Sequence, residues 1–216
     1  SGADLTRLVA PTLVVGGSTH ASTITVQGAI DRGAGNLTLQ NTGLDSDAYG
    51  DITLQAGLTA NQVGLLSYGN VTQTAGAPVT AQTLLARSTN GSVLLDQAAN
   101  NVAAATLGGG AAGAFRYQDV DALRVGNVSV TGFDSATNAP QVVAATSMAA
   151  ETIFIRTLSG DLLLGTGVSS TAGTDLVAAG RFQNVGGASL SGAPWRVWAN
   201  TWVGETRGGL AGSGLV

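Results

Sequence analysis

The chain has 216 residues, a formal net charge of −4, 10% charged residues and no cysteine. Soluble globular proteins usually carry about 25% charged residues, so this composition, with its 32 glycines, favours a β-rich fold over a helical one. Disulfides and thiolate metal sites are excluded, and the lack of any basic run argues against a nucleic-acid partner. The uncharged stretch of residues 102–115 is too short and too glycine-rich to span a membrane.

No signal-peptide pattern opens the chain at Ser1, and the single methionine is Met148, so we interpret the chain as a segment of a longer protein.

The N-terminal region contains no recognisable catalytic group. His20 is the only histidine, and any Ser-His-Asp triad would have to use it. Because no serine lies in a G-x-S-x-G sequence, we expect His20 to be a loop residue.

A short pattern recurs along the chain: a glycine, then Asn, Asp or Ser, then an aliphatic residue that opens an alternating strand. Successive glycines of the pattern are 15, 19, 22, 35 and 34 residues apart. Glycine allows a positive φ, and the next side chain can bond to the backbone, as a tight turn requires. The six copies begin at Gly35, Gly50, Gly69, Gly91, Gly126 and Gly160.

A longer repeat indicates how the strands are arranged. Residues 81–88 (AQTLLARS) align without a gap with residues 150–157 (AETIFIRT). The uneven spacing of the turns is typical of a solenoid that tolerates insertions at its corners, whereas a β-sandwich spaces its turns about 8–12 residues apart. The sequence therefore predicts an all-β parallel β-solenoid of roughly nine coils. Asn100 and Asn101 are predicted at a turn where their amides bond to neighbouring coils.

One acidic segment begins like a calcium-binding loop. Asp45, Asp47 and Asp51 lie close together, and Asp45 and Asp47 with Gly50 match the D-x-D-x-x-G start of such a loop. However, Tyr49 stands where another oxygen ligand belongs, and Ala56 stands where the distal glutamate belongs. We therefore interpret the segment as an acidic turn without a metal.

Two further segments have features of a functional site. Asp119 and Asp121 alternate onto one face of a predicted strand, about 6.6–7 Å apart, which is near the separation of two glycosidase carboxylates. No second acidic pair aligns with them, so we interpret both as residues of a solvated strand face. The run Gly108-Gly109-Gly110 lacks the Lys-Ser/Thr of a phosphate loop, and we interpret it as a flexible excursion between coils.

Three tryptophans lie close together near the C-terminus, although aromatic residues make up only 5% of the chain. On a strand, Trp198 and Trp202 would share a face about 13 Å apart, and Trp195 would point the other way. Two interpretations are open. The tryptophans form a hydrophobic lid over the last coil, whose strand edge would otherwise be exposed, or Trp198 and Trp202 stack on sugar rings.

Several segments, taken in order, carry a family resemblance: GNVTQTAG (residues 69–76), AQTL (81–84), GSVLL (91–95) and NNV (100–102). They resemble the repeats of filamentous-haemagglutinin-type exoproteins of the two-partner secretion pathway. The stretch from Gly180 to Trp198 is similar to the element that closes a solenoid in those proteins. The resemblance covers the chain from about Gly50 to Gly209 and implies a right-handed parallel β-helix, export through an outer-membrane transporter, and a role in adhesion or biofilm formation.

The Asn-Pro-Asn motifs of that family's N-terminal secretion domain do not occur here, so the resemblance implies an internal or C-terminal segment. We expect solenoid coils over residues 1–180 and a C-terminal capping segment of the same domain over residues 181–216. The predicted function is a non-enzymatic, secreted or cell-surface scaffold of an adhesin-like bacterial exoprotein, with no cofactor, no metal site and no membrane span.

The expected partners are the outer-membrane transporter during export and, beyond it, host or matrix glycans or receptors. The alternative function is a carbohydrate-binding or carbohydrate-active β-helix protein. In that case Trp198 and Trp202 are the candidate glycan contacts.

Overall fold

The computed structural model describes residue 5, residues 7–44 and residues 49–210, except for the side chains of residues 104 and 105. These residues form twenty β-strands and no helical element. The strands are β1 (Thr12–Gly17), β2 (Ile24–Val26), β3 (Ile30–Asp31), β4 (Asn36–Asn41), β5 (Ile52–Leu54), β6 (Leu58–Ser67), β7 (Val71–Gln73), β8 (Val79–Ser88), β9 (Val93–Leu95), β10 (Asn101–Ala111), β11 (Ala114–Asp119), β12 (Leu123–Val125), β13 (Val128–Asp134), β14 (Ala139–Ala145), β15 (Met148–Thr157), β16 (Leu162–Leu164), β17 (Val168–Ala178), β18 (Phe182–Gln183), β19 (Leu190–Gly192) and β20 (Trp195–Ala199).

Eight strands stack in parallel to form one lateral side of the molecule, which we call face A. They are β2, β5, β7, β9, β11, the C-terminal halves of β15 and β17, and β20. Each strand belongs to a different turn of the chain, so the fold is a parallel β-solenoid of about eight turns, as the repeats predicted. At about 4.8 Å per turn, face A is about 34 Å long.

A second side, face B, also contains eight stacked strands. It is formed by β1, β4, the C-terminal halves of β6, β8 and β10, the N-terminal halves of β15 and β17, and β19. A third side contains β3 with the N-terminal halves of β6, β8 and β10, and further along the chain β12, β16 and β18. The longest strands therefore bend from one side to the next.

Inward side chains of successive turns lie above one another and make the core. The alternation in β5 shows the pattern, since Ile52 and Leu54 are buried and Thr53 between them faces outward. Burying an aliphatic or aromatic side chain contributes about 1.5–3 kcal/mol, so each column adds stability turn by turn. One column of face A runs through Ile24, Ile52, Val71, Val93, Phe115, Ile153, Thr174 and Trp195.

The glycine motif forms the corner before several face A strands, and its polar side chain links neighbouring turns. Asp51 Oδ1 accepts a hydrogen bond from Asn70 N at 2.6 Å, and Asn70 Oδ1 accepts one from Ser92 N at 2.9 Å. The predicted side-chain-to-backbone bonding is confirmed. The predicted positive φ is wrong for five of the six motif glycines, since only Gly160 has one. Glycine is needed instead for close approach, because a Cβ at Gly91 would lie 2.7 Å from Asn70 Oδ1.

Some repeats occupy a different side of the solenoid from the one their sequence suggested. Gly35 precedes β4 on face B, and Gly126 precedes β13, which is not part of a coil. When the longer repeat is continued, Val93 after the first copy aligns with Leu162 after the second. In the structure, however, Val93 shares its inward column with Ile153, whereas Leu162 lies on the third side. The second copy is therefore rotated by one side. Bends and turns are chemically alike at every corner, so the same local unit fits more than one side.

An antiparallel hairpin, β13 and β14, is inserted between β12 and β15. In its loop Asp134 accepts hydrogen bonds from Ala136 N at 3.0 Å and Thr137 Oγ1 at 2.7 Å, and Asn138 has a φ of 53°. Asp and Asn favour such turns because their short side chains bond locally and tolerate the left-handed region. The hairpin is one of the corner insertions that the uneven spacing predicted.

The hairpin lies on the outer surface of face B. Val128, Val130 and Ala145 pack there against Leu66 and Leu85, in a small apolar cluster separate from the main core. Hydrogen bonds also join the hairpin to the first turns. Gln40 Oε1 accepts a hydrogen bond from Phe133 N at 2.8 Å, and Ser18 Oγ donates one to Asp134 at 3.2 Å. The hairpin therefore crosses several turns and ties them together.

Small residues on face B make room for the hairpin. A Cβ at Gly64 would lie 3.0 Å from Val130 Cγ2, and a Cβ at Gly108 would lie 3.0 Å from Val128 Cβ. The interpretation of Gly108-Gly109-Gly110 as a flexible excursion is therefore wrong. These glycines belong to β10, where they pack between the preceding turn, the following turn and the hairpin.

Candidate functional site

Asp119, the first of the two candidate carboxylates, lies inside the solenoid. It is fully buried, and its carboxylate accepts hydrogen bonds from Val102 N at 2.9 Å, Tyr117 Oη at 2.8 Å and Asp121 N at 3.1 Å. The alternation of β11 turns Phe115, Tyr117 and Asp119 inward together. The prediction of a solvated strand face is therefore wrong for Asp119, and Asp121 lies beyond the end of the strand.

Burial changes the acidity of this pair. It raises the pKa of Asp119, although the hydrogen bonds from Val102, Asp121 and Tyr117 oppose the change. Burial, with the nearby carboxylate of Asp119 adding to it, also raises the pKa of Tyr117 well above its usual range. With both carboxylate oxygens occupied inside the protein, Asp119 is placed to satisfy the backbone of the preceding turn and not to contact a polysaccharide.

Asn100 makes a second buried polar link between turns. Its Nδ2 donates a hydrogen bond to Gln73 Oε1 at 2.8 Å, and Gln73 Nε2 donates one back to Asn100 Oδ1 at 3.0 Å. Asn100 Oδ1 also accepts a hydrogen bond from Val79 N at 2.9 Å. The predicted amide contact between coils is confirmed for Asn100, whereas Asn101 begins β10.

The three tryptophans occupy three different environments. Trp195 is the last member of the inward column that starts at Ile24. Trp202 packs against the core from beyond β20, with the Arg207 guanidinium carbon 5.5 Å from the centre of its ring. Trp198 points outward from β20 and is 43% exposed. The expectation that Trp198 and Trp202 share a face is therefore wrong, because the strand ends at Ala199 and the following turn directs Trp202 to the core.

The C-terminal segment combines one more turn with a cover. β18, β19 and β20 pair in parallel with the preceding turn, and Thr206 forms one further parallel bridge with Gln183. Trp202 and Leu210 then pack against the core at this end. This packing is what the lid interpretation requires, and the stabilising role of the lid stays a prediction.

The outward side chains of face A change in character along the solenoid. The first three turns place threonine at the middle outward position, and later turns place apolar, aromatic and charged residues there. The series is Thr25, Thr53, Thr72, Leu94, Arg116, Phe154, Asp175 and Arg196.

The side chains of this later part are held in defined positions. Arg196 donates two hydrogen bonds to the Asp175 carboxylate, at 2.7 and 2.8 Å. The hydrogen bonding to Asp175 and the charge of its carboxylate raise the pKa of Arg196. The Arg116 guanidinium carbon lies 4.9 Å from the centre of the Phe154 ring, within the range of a cation–π contact.

A second outward row runs beside the first, two residues further along each strand. Together the two rows form a flat array, which we call the lateral strip. It spans four turns, or about 14 Å, and two rows about 7 Å apart. Its members are Arg116, Phe154, Asp175 and Arg196 in one row and Gln118, Arg156, Val177 and Trp198 in the other.

The remaining candidates add no site. His20 lies exposed at the end of the turn after β1, and Asp51 belongs to the ladder of turn side chains. Asp45 and Asp47 lie outside the described residues. Among residues 7–44 and 49–210, no three His, Asp or Glu side chains come together as metal ligands would, and no helix has the length and hydropathy of a membrane span.

No family model, no curated protein and no solved structure matches this chain.

Proposed function

We propose that this chain is a non-enzymatic scaffold segment of an adhesin-like bacterial exoprotein, secreted or held at the cell surface, that supports adhesion or biofilm formation. The key observation is how its polar side chains are used. Asp51, Asn70, Asn100 and Asp119 each bond to a neighbouring turn. Catalysis needs such groups to face a substrate, whereas here they hold the turns of a rod together.

The resemblance to filamentous-haemagglutinin-type exoproteins supports this setting. In that pathway an outer-membrane transporter would export the chain, and the solenoid would form outside the cell. A ladder of similar turns suits this route because each turn contacts only its neighbours, so folding propagates from one turn to the next.

Surface display tests the adhesive function. The chain is displayed on a bacterium that does not adhere, and the cells attached to matrix-coated surfaces are counted under flow. We expect more attachment than with an unrelated rod of equal length displayed at the same density. Equal attachment for the two rods would contradict the adhesive role.

A cleavage assay tests the enzymatic alternative. The chain is incubated with a panel of polysaccharides, and new reducing ends and unsaturated products are measured. We expect neither. Cleavage that disappears in Asp121→Asn, a variant that keeps the buried Asp119 intact, would overturn the non-enzymatic proposal.

A further inference from the structure

The lateral strip differs from the rest of face A in a way that a scaffold does not require. The first three turns show that threonine is sufficient at the outward position. The later turns replace it with Arg116, Phe154 and Arg196, and the adjacent row ends in Trp198. Trp198 is 43% exposed on the sheet surface, so folding leaves much of its ring uncovered, and exposed aromatic groups with charged neighbours mark binding surfaces.

The chemistry of the strip suits a sugar chain. The exposed ring of Trp198 offers an apolar surface of the size of a pyranose, on which the C–H face of a sugar can stack. The Arg196–Asp175 pair beside it presents donors and acceptors in a plane, held by two hydrogen bonds. The N–H groups of Arg196 and the lone pairs of Asp175 that this pair leaves free can bond to sugar hydroxyls. Aromatic side chains combined with a few fixed polar groups are the usual lining of ligand sites.

The charges of the strip favour an acidic sugar. Arg116 pairs with Asp96, and Arg196 pairs with Asp175. Arg156 is exposed and has no ion-pair partner among the described residues. Arg156 lies in the same row as Trp198 with one turn between them, or about 10 Å away. A guanidinium that has no ion-pair partner among the described residues, on a chain of net charge −4, is suited to bind a carboxylate with two hydrogen bonds.

We infer that the lateral strip binds a carboxylate-bearing polysaccharide that lies along the solenoid axis. Trp198 stacks on one sugar, the Arg196–Asp175 pair bonds to its hydroxyls, and Arg156 binds the carboxylate of a sugar further along the chain. This is a binding site beyond the scaffold role, and it requires no catalytic group.

Calorimetry with defined oligosaccharides tests this site. The acidic probe is hexagalacturonate, the neutral probe is cellohexaose, and a sulfated hexasaccharide is the third. We expect the folded chain to bind hexagalacturonate and to bind the neutral probe at least about tenfold more weakly, with affinity for the acidic probe falling as salt rises. Trp198→Ala should weaken binding of the acidic probe about tenfold, and Arg156→Gln should weaken it to about the affinity of the neutral probe and so remove the preference for the acidic probe.

Matched variants on the same face serve as controls. Thr53→Ala and Thr72→Ala lie on the outer surface of face A but outside the strip, and each should change the affinity by less than about twofold. All four variants are exposed or half-buried, so their melting temperatures should stay within about 2 °C of the parent. Three outcomes would overturn the inference: no binding of hexagalacturonate, equal or tighter binding of the neutral or sulfated probe, or full retention of binding in Trp198→Ala.

Discussion

Faces A and B have the same inward-facing core, but their outward-facing side chains and what covers them differ. Both are ladders of eight parallel strands over one core. The outer surface of face B carries Gly64, Leu85 and Gly108 in one row, and the hairpin covers this part of the face. The outer surface of face A carries no such cover among the described residues, and it holds the lateral strip with Arg156 and Trp198 exposed.

The difference shows that the outward side chains of a solenoid indicate whether another layer covers them. A covered surface needs small and aliphatic side chains that leave room for a second layer, because packed interiors tolerate neither gaps nor overlap. An uncovered surface needs only neutral polar residues, so aromatic and charged residues there point to a ligand. Face B is thus built for an internal partner and face A for an external one.

The largest expected effect compares two leucines that point outward on different faces. Leu85 lies on face B and is fully buried under the hairpin, whereas Leu94 lies on face A and is half-buried. Leu85→Ala should cost about 2–4 kcal/mol of unfolding free energy, because it leaves a cavity between the sheet and the hairpin, and Leu94→Ala should cost less than about 1 kcal/mol. Urea denaturation of both variants measures this difference, and equal losses would show that face B is not covered.

The next effect separates two tryptophans on the same strand. Trp195→Ala removes the last side chain of an inward column of face A and should cost about 2–4 kcal/mol, somewhat less than the roughly 3–5 kcal/mol of fully buried aromatic truncations, because Trp195 is only partly buried. Trp198→Ala should cost less than about 1 kcal/mol because its ring points into solvent. Thermal melts of the two variants test this order, and a greater loss for Trp198→Ala would contradict the assignment of inward and outward positions.

A smaller effect concerns the corners that both faces share. Asp51→Ala leaves Asn70 N without its acceptor on the neighbouring turn. An unmet donor at a partly buried corner should cost about 1–2 kcal/mol. Asp51→Asn keeps an acceptor oxygen and is the matched control, since Asn70 already performs the same role one turn later. Equal stability of the alanine and asparagine variants in urea denaturation would refute the role of the side-chain ladder.

The smallest effect is the pH dependence of two carboxylates, one at a corner and one in the core. The hydrogen bond from Arg181 N lowers the pKa of Asp161 below its ordinary value of 3.8. Its contribution to stability is therefore present above that value and is lost as the pH falls through the lowered pKa. Burial raises the pKa of Asp119, so its contribution is present below the ordinary value and is lost as the pH rises through the raised pKa.

Stability measured between about pH 2 and pH 6 separates the two contributions. In Asp161→Asn, the loss of stability on acidification should be smaller than in the parent chain. An unchanged acid branch in this variant would contradict the corner hydrogen bond to Arg181.

The sequence was sufficient to predict features that repeat from turn to turn. The parallel solenoid, the side-chain bonds of Asp51 and Asn70, and the inter-turn amide of Asn100 all follow from residues that recur or from turn chemistry, which acts locally. The inward direction of Asp119 could have been found from its alternation with Phe115 and Tyr117, but a carboxylate at an inward position argued against that assignment.

The remaining features depend on contacts between distant parts of the chain. Leu85 is apolar like the core residues beside it, so nothing local distinguishes a side chain under the hairpin from one in the core. The docking of Val128 and Val130 on face B occurs once and therefore leaves no repeating pattern in the sequence. The rotation of the second long repeat by one side leaves the local pattern unchanged. The lateral strip was missed for the same reason, since Phe154, Arg156 and Trp198 meet only when turns stack.

Hydroxyl-radical footprinting measures the contrast between the two faces most directly, because it reports the solvent exposure of individual side chains in the intact protein. We expect rapid oxidation of Trp198 and slow oxidation of Leu66 and Leu85, with the exposed hairpin residue Val142 as the internal reference. Deletion of residues 128–145 should make Leu66 and Leu85 reactive and leave Trp198 unchanged. Oxidation of Leu66 and Leu85 as fast as that of Val142 in the intact chain, or protection of Trp198, would contradict a covered face B and a free face A.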